Sequence, residues 1–408
     1  MPEQGIHDRL LFVQALETVR VLDQGVVGSV ADANIGSVYG IGFAPWTGGT
    51  LQLVNVYGPR AFVAPPTTSP TPTANASGPL THCAQRPTAA SDSDRATGHV
   101  SSLEKCSMTV VEEAGLGRVG IWTASLDSVP PAATGQIAAE LEAQGWGTLW
   151  FGEAYGREAF TQAGLLLAAT GRMRVATGIA NIWARDAVAA NAASRTLAAA
   201  HGGRFVLGLG VSHRPLVERV RGGSYTKPVA AMREYLTAMT GATLHAAEAN
   251  EPRPPTLVAA LGPRMLEVSR ELADGSHPYL VTPAQTAEVR AALGPDKIVA
   301  VEMGAVLTSD RETALRRAHS HLDVYTGLPN YRNNWLRGGF DETDLIRGGS
   351  DRLAEALIAW GDEAAILSRV REHLAAGADH VCVQVLMESP FDLPTEPWRE
   401  LAPALVGA

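Results

Sequence analysis

From Gly117 onward, apolar β-branched runs alternate with amphipathic helical stretches, and this alternation narrows the possible folds more than any other feature. Strand-like runs begin near residues 118, 148, 173, 204, 256, 277, 298 and 381, among them RVGIWT, TLWFGE and RFVLGLG. Helical segments separate them. The segment IAAELEAQ ends at Gly145, a residue suited to the left-handed cap. Thr282-Pro283-Ala284-Gln285 places a capping threonine before proline, with glutamine three residues on, and Ser309-Asp310-Arg311-Glu312 repeats that spacing. Eight strands parted by helices over residues 116–408 predict an α/β fold, a (β/α)8 TIM barrel. A doubly wound open sheet is the alternative, because strand order is invisible in sequence.

Composition divides the 408 residues into three regions. Residues 1–63 read as a short helical fragment. Residues 64–115 are dense in Pro, Ser, Thr and Ala with few large aliphatic side chains, the composition of a disordered linker. The barrel follows. A net charge of −9 argues against nucleic-acid or anionic-membrane partners, and no apolar run reaches the length of a membrane span. The N-terminus lacks the basic-then-apolar order of a secretory signal. Cys83, Cys106 and Cys382 form neither a disulfide framework nor a zinc pattern. A soluble, cytoplasmic protein without a metal site is expected.

In such a barrel, chemistry gathers where the strands end. Glu153 follows the second strand and reads as a base, a substrate contact or a helix N-terminal acid. GLGVSHRP, containing Gly210, Ser212 and His213, is a weak nucleotide-loop match that also fits a tight turn. LGPRM suits an anion better: Gly262 permits close approach, Pro263 preorganises the first turn, and Arg264 and Met265 complete a helix start. His277, on a core strand, reads as a proton donor, a ligand contact or a core histidine. No GxSxG, no HExxH and no Cys–His pair with a plausible partner is present, so the chemistry is expected to belong to a cofactor.

These segments also carry a resemblance. VATGIANIWARD (175–186), RFVLGLGVSHRPLVE (204–218), LVAALGPRMLEVSRELADGSHPYLVTP (257–283), LPNYRNN (328–334) and GADHVCVQVL (377–386) resemble the luciferase-like monooxygenase superfamily, in its branch of oxidoreductases using the deazaflavin coenzyme F420. The resemblance implies a bulge after the third strand, often with a non-proline cis bond, at Gly178–Ile179 behind the deazaflavin ring. It implies a cofactor phosphate at Gly262, Pro263, Arg264 and Met265; from their places at the strand ends, Gly210, Ser212 and His213 are further cofactor-binding candidates and His277 and Glu153 catalytic candidates. Related sugar-phosphate dehydrogenases keep a catalytic histidine where this chain has Ala154, which puts glucose 6-phosphate in doubt as substrate. Trp183, Arg185 and residues 325–335 would line or close the substrate side. The implied reaction is hydride transfer between F420 and a small organic substrate. FMN-dependent monooxygenation is the alternative, a non-catalytic cofactor- or partner-binding barrel is the alternative of another class, and a homodimer is compatible with the family.

Residues 1–63, through the loop GIGFAPWTGG, resemble the C-terminal helical region of the 3-hydroxyacyl-CoA dehydrogenase part of fatty-acid β-oxidation proteins. That family's dinucleotide fold and catalytic histidine–glutamate pair have no counterpart here, so its activity is not expected. The resemblance stops at Val63-Ala64, which suggests a gene fusion or a true start at Met108. An intact mass near 43 kDa for the native protein would exclude the later start.

Overall fold

The computed structural model describes residues 3–41, 50, 51, 54 and 114–407. The chain divides into two compact units, Met1–Val100 and Ser101–Ala408. The expected linker, as far as residue 113 and including Met108, lies outside the described residues.

In the first unit, helix α1 (Glu3–Asp23) is followed by α2 (Val30–Ile41). The Ser29 hydroxyl oxygen accepts from the Asp32 amide at 3.1 Å, stabilising the start of α2. Val13, Leu16 and Val19, three residues apart on α1, are exposed.

The second unit is a closed parallel barrel. Its strands are β1 (Val119–Thr123), β2 (Thr148–Phe151), β3 (Arg174–Thr177), β4 (Ala180–Asn181), β5 (Phe205–Gly210), β6 (Thr256–Val258), β7 (Gly275–Ser276), β8 (Ile298–Leu307), β9 (Ile358–Gly361) and β10 (His380–Val385). β3 and β4 are two halves of one barrel strand, parted at Gly178–Ile179, whose peptide bond is cis. β10 closes the sheet by pairing with β1 on one side and β8 on the other, His380 opposite Ala300 through Val385 opposite Ala305. That closure removes the open-sheet alternative. β9 pairs with the end of β8 and stands outside the ring of eight.

Helices wrap the sheet: α3 (Pro131–Ala143), α4 (Ala159–Ala169), α5 (Ala187–Ala200), α6 (Pro228–Gly241), α7 (Pro263–Leu272), α8 (Pro283–Leu293), α9 (Arg311–Tyr325), α10 (Pro329–Arg337), α11 (Asp351–Leu357), α12 (Glu363–Ala375) and α13 (Thr395–Leu405). The Thr282 capping box forms as its spacing predicts. At α9 the cap is Asp310 rather than Ser309, its carboxylate accepting from the Thr313 amide. Among the described residues, no helix is long and apolar enough to cross a membrane.

Two strand expectations need correction. The run HPYL (277–280) is not the sixth barrel strand; Gly275–Ser276 is. Pro278 has no N–H for the ladder and Leu280 has φ 53°, so the chain leaves the sheet there. The IAWG strand lies within a stretch that reads as helical, and four residues are too few to display a period.

Inside the barrel, Trp150 fills the middle against Ala176, Val206, Leu257, Ala300 and Cys382, one large ring among smaller side chains. The Trp150 indole N–H donates to His380 Nε2 at 3.0 Å, and His380 Nδ1 donates to the Gly117 carbonyl at 2.8 Å. The floor is thereby sealed with its polar atoms paired. Glycine is required higher up, at Gly208, where any β-carbon would overlap the Thr177 carbonyl oxygen. Gly208→Ala is therefore expected to cost about 3 kcal/mol, as overpacking of a rigid core does, read as a lower denaturation midpoint in urea.

Candidate functional site

The site lies at the C-terminal rim of the barrel, where three groups of residues meet. The first surrounds the β3 bulge. The Trp122 indole N–H, at the end of β1, donates to the Gly178 carbonyl at 3.0 Å, and the Glu153 amide donates to the Ile179 carbonyl at 3.0 Å. A β-carbon on Gly178 would lie 2.9 Å from His277 Nε2, and one on Gly210 would run into Ile179. The candidates Gly178, Ile179, Gly210 and His277 are thus packed together, and glycine at these positions serves that packing directly.

His277 is buried, stacked on Trp150 with ring centroids 4.5 Å apart. Its Nδ1 lies 2.8 Å from the Ala300 carbonyl, which fixes the tautomer with the proton there. Its Nε2 has no hydrogen-bond partner. Burial, opposed by the bond to Ala300, lowers its pKa to about 4. Near neutral pH the ring is uncharged and Nε2 is an acceptor, so its geometry suits a ligand contact better than a proton donor.

Glu153 is also buried, and its carboxylate is spoken for. Oε2 accepts from the Asn181 amide at 2.8 Å, Oε1 from the Ala159 amide at 3.3 Å, and Arg185 grips both oxygens. Arg185 bonds Glu158 as well, at 2.7 Å. This arrangement fits the reading of a carboxylate that organises the start of α4 and the β4 turn. Trp183, expected on the substrate side, donates its indole N–H to the Val211 carbonyl at 2.9 Å.

The second group is the start of α7. Gly262 caps it with φ −93° and ψ 152°, a conformation open to any residue, and no side chain caps the helix. A β-carbon on Gly262 would meet nothing nearer than Arg337 Nη2 at 3.9 Å. Packing therefore does not demand glycine there. Pro263 carries no N–H and the Met265 amide donates to the Gly262 carbonyl at 3.0 Å, so the Arg264 amide and side chain are what remain for an anion. Arg337, on α10, donates to the Leu261 carbonyl at 3.2 Å and to Asn334 Oδ1 at 3.1 Å. Asn334 is buried and its Nδ2 has no partner. The sequence reading missed Arg337 and Asn334 as individuals, because only the fold brings α10 over the start of α7.

The third group is aromatic. Tyr279 lies edge-on to Trp122 at 5.4 Å and beside Tyr325 at 5.4 Å, and Tyr325 packs on Tyr331 at 4.8 Å. Tyr325 O–H donates to Tyr279 Oη at 3.1 Å, and Tyr279 O–H donates to Gln384 Oε1 at 2.6 Å. His213, from the β5 loop, meets Tyr331 at 5.8 Å and is held neutral by burial, its pKa lowered to about 4. Ser212 holds φ 54° and its carbonyl accepts from the Tyr225 hydroxyl at 3.3 Å. Tyr325 and Tyr331, from the segment 325–335, are members of this aromatic group.

Beneath lies Glu302, fully buried on β8. Its Oε2 accepts from the Leu280 amide at 3.0 Å and its Oε1 has no partner. Burial, opposed by that amide, raises its pKa to about 8.

The profile of the luciferase-like monooxygenases matches residues 116–380. The chain belongs to that family. A Mycobacterium tuberculosis protein named as a coenzyme F420-dependent oxidoreductase is 35% identical to the luciferase-like chain over 124 residues, 30% of this chain and 35% of that protein. The fatty acid oxidation complex subunit alpha of Ectopseudomonas oleovorans is 42% identical over 62 residues, 15% of this chain and 9% of that protein. The matched segments thus span about a third or less of these relatives' lengths. Among solved structures, an F420-dependent secondary alcohol dehydrogenase in complex with an F420-acetone adduct superposes with TM-score 0.57 at 15% identity, over 71% of this chain and 99% of that one. The oxygenating constituent of 3,6-diketocamphane monooxygenase from Pseudomonas putida, in complex with FMN, gives TM-score 0.52 at 11% identity, over 70% and 96%. These two share the barrel fold.

Glu302 yields a pH prediction. The unfolded chain ionises this carboxyl near 4.5, whereas the fold keeps it protonated to about 8. The stability it contributes is complete below pH 4.5 and is lost as pH rises through 8. Glu302→Gln removes that loss, so its thermal midpoint should exceed the wild type's at pH 9 by several degrees and converge with it near pH 5, as read by calorimetry.

Proposed function

We propose that the barrel is an oxidoreductase that binds coenzyme F420 and exchanges a hydride between it and a small organic substrate. The observation that carries the reading is the start of α7: an uncapped helix N-terminus, a glycine without a packing reason, and the Arg337 guanidinium beside it. Such a terminus presents the Arg264 amide and a favourable dipole to a phosphate. The choice of deazaflavin over FMN is supported by the similarity to the Mycobacterium tuberculosis protein that carries the F420 name.

The residues present fit a flat ring bearing a phosphate. Gly262, Arg264 and Arg337 would hold the phosphate, while Gly178, Ile179 and the unpartnered Nε2 of His277 stand where the ring would rest. Once bound, the deazaflavin supplies two-electron hydride chemistry. The protein's part is orientation and exclusion of water, with Trp122, Tyr279 and Tyr331 forming apolar walls. The Glu153–Arg185 pair braces the β4 turn next to the bulge.

Fluorescence titration of the purified chain with F420 and separately with FMN tests this reading. Tight F420 binding with weak or absent FMN binding is expected; the reverse would assign the site to FMN, and binding of neither would remove the enzyme reading. Gly262→Val should weaken F420 binding about tenfold, roughly the worth of one charge-assisted contact, with the thermal midpoint changed by only a few degrees. An unaltered affinity would place the phosphate elsewhere.

A further inference from the structure

We propose that Tyr279, backed by Tyr325, is the proton donor and oxygen anchor of this site, and that its substrates are uncharged ketones or aldehydes and the corresponding alcohols. The inference rests on the hydride-transfer reading above and supplies what that reading lacks, a source for the proton. Ala154 removes the histidine that the sugar-phosphate branch would use, His277 offers an acceptor, and the Glu153 carboxylate is bound by Arg185 and two amides.

The hydroxyl pair has the required placement. Tyr279 is one indole away from the bulge: Trp122 donates to the Gly178 carbonyl at 3.0 Å and meets the Tyr279 ring at 5.4 Å. Tyr279, His321 and Tyr325 are only partly buried, whereas Trp122, Tyr331 and Trp335 around them are buried. The Tyr279 proton rests on Gln384 Oε1 at 2.6 Å, an amide oxygen that holds a proton donor without taking its proton. Tyr325 O–H points at Tyr279 Oη at 3.1 Å, where it would stabilise the phenolate left after donation. His321 Nε2 stands 3.4 Å from the same oxygen. Among the described residues, no lysine or arginine hydrogen-bonds any member of this group, and nearby Arg332 is committed to the Thr326 and Leu345 carbonyls and to Glu342. A phosphorylated or carboxylated substrate would find no counter-charge at the hydroxyls, while a neutral carbonyl would find a donor and aromatic walls.

The step balances. A hydride from the reduced deazaflavin forms a C–H bond at the carbonyl carbon, and the C=O π pair moves onto oxygen. That oxygen takes the proton from Tyr279, forming the alcohol O–H. Tyr279 is reprotonated from Tyr325, and Tyr325, a half-buried residue, recovers its proton from solvent between turnovers. The carbonyl gains two electrons and the deazaflavin loses them.

Tyr279→Phe and Tyr325→Phe keep the rings and test the hydroxyls. With acetophenone and cyclohexanone as probes, the F420-loaded wild-type chain should oxidise reduced F420, and glucose 6-phosphate should not support turnover. Tyr279→Phe should lower kcat at least 100-fold while the F420 dissociation constant changes less than twofold; Tyr325→Phe should lower kcat about tenfold. The wild type should show a solvent deuterium isotope effect on kcat above 2. Saturation-transfer NMR of the cofactor-free chain with acetophenone reads the anchor independently of turnover, with at least fivefold weaker binding expected in Tyr279→Phe. Full kcat in Tyr279→Phe, turnover of glucose 6-phosphate in place of the ketones, or equal acetophenone binding by wild type and Tyr279→Phe would overturn the proposal even where F420 binds. Failure to bind F420 alongside intact acetophenone discrimination would instead fault the cofactor reading alone.

Discussion

The rim depends on β10 closing the sheet between β1 and β8. Closure forces alternate residues of every strand into an interior with room for few side chains, so the order of small and large residues along each strand decides what stands at the top. Trp150 occupies the middle because Ala176 and Ala300 yield space, and His380 seals the floor beneath it. His277 can then stack on Trp150, and its Nε2 reaches Gly178. Tyr279, from the segment after β7, meets Gln384 of β10 by a hydrogen bond, and Glu302 of β8 accepts from the Leu280 amide of the same segment.

This layered interior is nearly uncharged around neutral pH. His277, His321 and His380 are held neutral by burial, each with its pKa lowered to about 4, while Glu302 is held protonated to about 8. Charge is confined to the margins, at the Glu153–Arg185 pair and at Arg337 beside α7. A weakly screened, charge-free floor with the Arg337 guanidinium at its edge is what the proposed cofactor, charged at one end and reacting at the other, would require.

Much of this fold can be read in the sequence because its barrel strands are buried on both faces and therefore appear as continuous β-branched runs, as in RFVLGLG and IVAVEMGAVL. β7 escaped because Gly275–Ser276 has no apolar signature; its identity comes from close approach to Ile298. Gly178, Ile179, Gly210 and His277 are adjacent in space, whereas the hydroxyl network is assembled from the segment after β7, α9 and β10, far apart in sequence. One signal was there to use: an acid in the run Ile298, Ala300, Glu302, Gly304, every second residue facing inward, marks a buried carboxyl where the core gives way to the site. The pairing of Arg337 with the α7 terminus had no such signal, since it follows from how α10 packs.

In the proposed complex the uncapped α7 terminus and the β3 bulge hold the two ends of one deazaflavin. A crystal structure of the chain grown with F420 measures that directly. The phosphate is expected against the Arg264 amide and the Arg337 guanidinium, with the ring on Gly178–Ile179 and an open edge toward Tyr279. A phosphate seated instead on the Gly210–His213 turn, or a ring away from Gly178, would contradict it.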